Sequence, residues 1–147
     1  MEIWIDGDAC PNKIKEILYR AAMRTHTNLI IVANHFLSIP PSLYIKRLQV
    51  AAGFDAADTK IAECMQEGDL IITADIPLAS IVIHKQGIAL NPRGELYTES
   101  NIKQVLAMRN FNESLRDNGM ISGGHGKLGQ TDIRRFSNNL DKFLNKK

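Results

Sequence analysis

Short, fully apolar runs rich in β-formers recur along this chain between stretches with helical periodicity, and that rhythm restricts the fold more than any other feature. Ile3-Trp4-Ile5, Leu29-Ile30-Ile31-Val32-Ala33 and Leu70-Ile71-Ile72 show no polar alternation. Each therefore reads as a strand buried on both faces, as in a parallel sheet covered by helices. Between the first two runs, Ile14, Ile17, Leu18, Ala21 and Ala22 repeat at helical spacing, which predicts a helix over 11–24 with Pro11 in its first turn. Strand, helix and strand in this order call for a right-handed parallel unit.

The remaining punctuation extends the pattern. Pro40-Pro41 forces a loop, and residues 44–51 supply a third, less regular strand. A helix starting at Asp55 or Ala57 and running to Gln66 is stopped at Gly68. Residues 69–73 give a fourth strand, Pro77 opens a helix through Lys85, and Ile88-Ala89-Leu90 gives a fifth strand. Asn91-Pro92-Arg93-Gly94 is a turn cluster, and residues 99–117 have helical spacing. Glycines 119, 123, 124, 126 and 129 suggest a hinge, after which Thr131 would cap a last helix carrying Ile133, Phe136, Leu140, Phe143 and Leu144. At 147 residues a second core would leave each half too small to bury its apolar surface. The expectation is one α/β domain over 1–147, a three-layer sandwich around a mostly parallel sheet of about five strands. Residues 119–147 would form a glycine-rich hinge and a C-terminal helical extension.

Composition matters mainly for what it excludes. No apolar run approaches the roughly 20 residues that span a bilayer, and Met1-Glu2-Ile3 leads into a strand without the basic and apolar blocks of a signal peptide. The expected location is the cytoplasm, where Cys10 and Cys64 would stay reduced. The net charge of +2 conceals an asymmetry, because residues 1–100 carry 9 basic and 12 acidic side chains and residues 101–147 carry 9 and 4. An acidic body favours cations, and a basic tail favours a polyanion such as RNA.

Ligands of parallel α/β sheets bind outside the carboxyl ends of the strands. Asp6 and Asp8 end the first strand, Asp75 ends the fourth, and Asp58 opens the helix before it. Taken singly, Asp8, Asp58 and Asp75 are each adequately explained by a role at a helix N-terminus. Together with Asp6 they place four carboxylates on one edge, where mutual repulsion opposes ionisation unless a cation is bound. Oxygen donors suit magnesium or manganese rather than zinc. Asp69 begins its strand and belongs at the opposite edge.

Other groups carry less. Cys10 follows the acids, but with no histidine placed beside it in sequence it reads as a small buried residue. Gly123-Gly124-His125-Gly126-Lys127 lacks the final Lys-Ser/Thr pair of a Walker loop. With Lys127, Arg134 and Arg135, those glycines would let the tail close over a phosphate backbone, against the plainer reading of a flexible linker. Thr73, Asn91 and Arg93 are candidates for supporting the acids or touching phosphate. The four histidines show no paired ligand spacing, and aromatic residues, at 6%, show no cluster.

The segments Ile3-Trp4-Ile5-Asp6-Gly7-Asp8-Ala9-Cys10-Pro11, Gly53 to Asp58, Ile72 to Ala79, Asn91 to Gly94 and Phe136 to Asp141 resemble the bacterial YaiI/YqxD-like family over nearly the whole chain. That family is similar in turn to PIN-like and NYN-like nuclease domains, whose acids hold magnesium or manganese. The resemblance implies a PIN-like fold and the same role for Asp6, Asp8, Asp58 and Asp75. Pro77 stands where many such nucleases carry a further acid. The leading expectation is a metal-dependent nuclease that cleaves RNA by water attack on a phosphodiester. An apolar strand ending in Asp-x-Asp also fits a haloacid-dehalogenase-like phosphohydrolase with Asp6 as nucleophile. A third alternative is a nucleic-acid-binding protein without turnover.

Overall fold

Strands form where the apolar runs lie. In the computed structural model they are β1 (Glu2–Asp6), β2 (Asn28–Ala33), β3 (Ile45–Gln49), β4 (Leu70–Ile72), β5 (Ile88–Leu90) and β6 (Leu96–Tyr97). The helices are α1 (Asn12–Thr25), α2 (Ala56–Cys64), α3 (Ile76–His84), α4 (helical from 99 and described through 105) and α5 (Gln130–Leu144). The structure describes residues 1–51, 53, 56–105, 107 and 128–145. The expected helix start at Asp55, the continuation of the 99–117 helix past 107, Gly119, Gly123, Gly124, Gly126, His125 and Lys127 lie outside the described residues.

All six strands join one sheet in the order β3-β2-β1-β4-β5-β6, parallel except for the β5–β6 pair. Helices flank both faces, as a three-layer α/β sandwich requires. Strand parity explains the layers. Ile3, Ile5, Leu29 and Ile31 point to one face, where they pack with Ile14 and Leu18 of α1 and Phe136, Leu140 and Leu144 of α5. Trp4, Ile30, Val32 and Ile71 point to the other, against Ile61 of α2 and Leu78, Ala79 and Val82 of α3. Both sides of β1 and β2 are thus buried, which is why their sequences lack alternation.

Several boundaries differ from the sequence expectation. The sheet gains a sixth strand, since two residues are too few to display a period of two, and only the Asn91–Gly94 turn sets Leu96 back against Leu90. Pro11 is the N-cap of α1 and not a first-turn residue. The last helix begins earlier than a Thr131 cap would allow. Its N-cap is Gly129, whose N–H donates to Asp132 Oδ2 at 3.1 Å. The apolar stripe of α5 docks on the sheet. Phe136, Leu140 and Leu144 follow the helical repeat and are almost fully buried, each stabilising the fold by roughly 2 kcal/mol. The Arg24–Asp141 ion pair joining α1 to α5 is exposed on both sides and adds little.

The N-terminal edge of the sheet is closed by Asp69, which is only 5% exposed. Its Oδ1 accepts the Glu2 N–H at 2.9 Å, and its Oδ2 accepts the Gln66 N–H at 2.9 Å and the Trp4 Nε1–H at 3.2 Å. Two donors from β1 and one from the turn before β4 converge on one carboxylate, which locks β1 to the start of β4 at the edge away from the other acids. Asp69→Ala would leave all three without a partner. We expect a loss of about 3 kcal/mol, read as an earlier urea midpoint by emission from Trp4, the sole tryptophan. An unchanged midpoint would show that the clamp contributes nothing.

Candidate functional site

The order of the strands decides which acids become neighbours. From β1 the chain builds outward to β2 and β3, then returns to add β4 on the other side of β1. The direction of the sheet therefore reverses between β1 and β4, and a reversal of this kind opens a crevice at the carboxyl ends. Ile5 pairs with Ile72, so one step further Asp6 stands beside Thr73. Both continue the parity of Trp4 and Ile71 and lean to the face covered by α2 and α3. Helices that return from the carboxyl edge begin there, which brings Asp58, in the first turn of α2, and Asp75, the N-cap of α3, to the same edge.

Each carboxylate also has a local task. Asp6 Oδ1 accepts the Asp8 N–H at 2.9 Å, while the Asp6 carbonyl accepts from Cys10 and Ala9. Asp75 Oδ1 accepts the Leu78 N–H at 2.8 Å, capping α3 with Pro77 in its first turn, and its own N–H donates to Thr73 Oγ1 at 2.9 Å. Asp8 does not cap α1. Its Oδ2 accepts the Asn34 N–H at 2.8 Å and its Oδ1 lies 2.6 Å from His35 Nδ1. Between Asp6 and Asp8, Gly7 has no alternative, because a Cβ there would lie 2.5 Å from Leu37 Cδ1 and 2.6 Å from Ile31 Cγ2. The 34–37 loop thus packs directly on the acidic turn.

Electrostatics mark Asp6 as the strained member. Burial pushes its carboxyl above the ordinary 3.8; the Asp8 and Ala9 amides oppose this, the Asp8 charge adds to it, and Lys15 opposes it. Cys10 is 8% exposed, and burial pushes its thiol up to about 12, so it is not a nucleophile of this edge. Tyr97 is raised by burial, lowered by its hydrogen bond with Asn91, and raised again by the charges of Glu95 and Asp75.

The candidate phosphate contacts are arranged unevenly. Asn91 is used within its own turn, accepting the Arg93 N–H at 2.7 Å and donating to Tyr97 Oη at 2.8 Å. Arg93 Nη1 reaches back to Asp132 Oδ2 at 2.7 Å. Gly94, at φ +91°, presses the turn against α5, where a Cβ would lie 2.5 Å from the Phe136 nitrogen. The start of α5 therefore sits at the acidic edge, with Arg134 and Arg135 exposed. His35 and Asn34 were not singled out by the sequence. The signal was the offset of the β1–β2 pair, since Ile5 faces Ile31 and the same spacing carries Asp8 to Asn34.

Among the described residues, no three of His, Cys, Asp and Glu are grouped to hold a metal ion. Asp6 and Asp75 each keep one oxygen, Oδ2, that accepts no hydrogen bond from the described residues. Such a donor set fits a hard ion bound through one or two carboxylates and completed by water and a substrate phosphate. It does not make a closed protein cage. No helix among the described residues is long and apolar enough to cross a membrane.

Residues 4–146 match the family model described as uncharacterized BCR, YaiI/YqxD family. Over 145 residues the chain is 58% identical to a UPF0178 protein of Pseudoalteromonas translucida, covering 98% of this chain and 96% of that one. It is 55% identical over 144 residues to a UPF0178 protein of Pectobacterium atrosepticum (98% and 96% covered) and 53% identical over 146 residues to one of Shewanella woodyi (99% and 97% covered). No solved structure matches it.

Two outcomes follow from the site's electrostatics. Because the folded state holds the Asp6 proton more tightly, the carboxyl favours folding fully below its ordinary 3.8 and this contribution is lost as pH rises through the raised value. Asp6→Asn should therefore melt higher than the parent protein at neutral pH, with the gap closing in acid; a melting point below the parent at pH 7 would contradict this. In native alkylation, iodoacetamide should label the partly exposed Cys64 and spare Cys10, which peptide mass spectrometry would read.

Proposed function

The chain belongs to the YaiI/YqxD family, and from that premise we propose that it is a divalent-metal-dependent nuclease with a PIN-like site that cleaves RNA in the cytoplasm. The observation that carries this reading is the placement of Asp6 and Asp75 on either side of the switch between β1 and β4, with Asp58 opening the adjacent helix and arginines at the same edge. When bound, Mg2+ or Mn2+ supplies charge to neutralise a phosphodiester and a water of lowered pKa.

Asp6 and Asp75 would hold the ion through their remaining oxygens. Thr73 keeps Asp75 in place through its backbone, and Asp58 adds negative charge at the start of α2. Asp8 orients the 34–37 loop through Asn34 and His35. Arg134 and Arg135 would draw the phosphate backbone toward this edge, while Arg93 acts through Asp132 to keep the start of α5 beside it.

One observation favours a second reading. The absence of a three-ligand group among the described residues suits a nucleic-acid-binding protein without turnover. The phosphohydrolase reading has less support, since it needs Asp8 as a proton donor and Asp8 is engaged by His35 and an amide.

Asparagine substitutions separate charge from architecture. Asn caps helices as well as Asp does, so Asp75→Asn should leave α3 and the melting point nearly unchanged. We expect Asp6→Asn and Asp75→Asn each to lower RNA cleavage with magnesium or manganese by roughly a hundredfold. Cleavage at parental rates in both variants would remove the proposal, and RNA binding without any cleavage would select the second reading.

A further inference from the structure

We propose that Phe36 and Arg47 form a stacking platform for an unpaired base of single-stranded RNA beside the acidic edge. This deepens the nuclease reading by naming its substrate class, and it rests on that reading for RNA as the polymer. Phe36 is 65% exposed and belongs to neither core cluster, so the fold does not need its ring. Arg47 Cζ lies 3.9 Å from the ring centroid, and its Nη1 donates to the Leu37 carbonyl at 2.9 Å, which fixes the guanidinium over the ring. A cation held against an open aromatic surface offers a base something to stack on and its phosphate a counter-charge.

Position ties the platform to the acids. Leu37, whose carbonyl anchors Arg47, packs on Gly7 between Asp6 and Asp8. His35, the neighbour of Phe36, is paired with Asp8. The platform therefore borders the turn that carries Asp6 and Asp8 at the carboxyl edge. A second copy of this chain is a poorer occupant, because the outer strand β3 carries Lys46, Arg47 and Gln49 at its exposed positions, and charge of this kind discourages edge pairing. Duplex RNA is likewise disfavoured, since its bases already stack on one another.

Fluorescence anisotropy with a labelled single-stranded oligoribonucleotide and its duplex, in EDTA so that cleavage does not intervene, tests this. Phe36→Ala should weaken single-strand binding roughly tenfold and leave duplex binding unchanged. Phe36→Trp should retain single-strand binding, and Arg47→Ala should weaken it while reducing the salt slope by about one. Equal losses on both RNAs, unaltered binding by Phe36→Ala, or a dimer in solution that Phe36→Ala dissociates would overturn it. If Phe36→Ala lowers binding and the parent protein never cleaves RNA, the platform stands and the nuclease reading falls. If cleavage depends on Asp6 while binding ignores Phe36, the platform alone falls.

Discussion

Hydrogen bonding along both flanks of β1 is the constraint on which the rest of the structure depends. β2 pairs with it on one side and β4 on the other, both parallel, so the side chains at its two ends are fixed against segments from across the chain. At the N-terminal end the Glu2 N–H and the Trp4 indole meet Asp69. At the C-terminal end Asp6 comes beside Thr73, and Asp8 meets Asn34 and His35. One buried strand thus organises a structural edge and a candidate functional edge, with a carboxylate at each.

The two edges treat negative charge differently. Asp69 is desolvated but receives three N–H donors, a well-compensated arrangement for a buried carboxylate. Asp6 is raised by burial and by the Asp8 charge, against the opposing pull of the Asp8 and Ala9 amides and of Lys15. The carboxyl edge therefore holds its charge at a higher cost than the edge closed by Asp69. The same edge collects the start of α5, because the Asn91–Gly94 turn presses on the backbone near Phe136 and Arg93 reaches Asp132. Acidic and basic groups from the two ends of the chain are brought to one rim without any continuous motif in sequence.

Sequence periodicity was sufficient for the layers. Apolar runs without alternation identified β1, β2 and β4, and the helical stripes contained the buried residues of α1 and α5 together with Ile17, Ile133 and Phe143, which are only half-buried. It was weaker where short range governs: β6 is too brief to show a period, and the α5 cap at Gly129 depends on Asp132, not on a hydroxyl. The positions of Asp6, Asp58 and Asp75 in their elements were legible because strand ends and helix starts are local features. The partners of Asp8 and the ring-and-guanidinium pair of Phe36 and Arg47 were not, since each joins residues on different strands or loops.

What the sequence determined by itself is the class of fold and the edge at which its acids lie, because burial on two faces and the direction of each βα unit follow from local pattern. Only the tertiary structure decided that β4 inserts beside β1 and that the loop after β2 folds over Gly7. Strand order depends on which apolar faces pack best once all are present, and that free energy belongs to the assembled core and not to any segment of it.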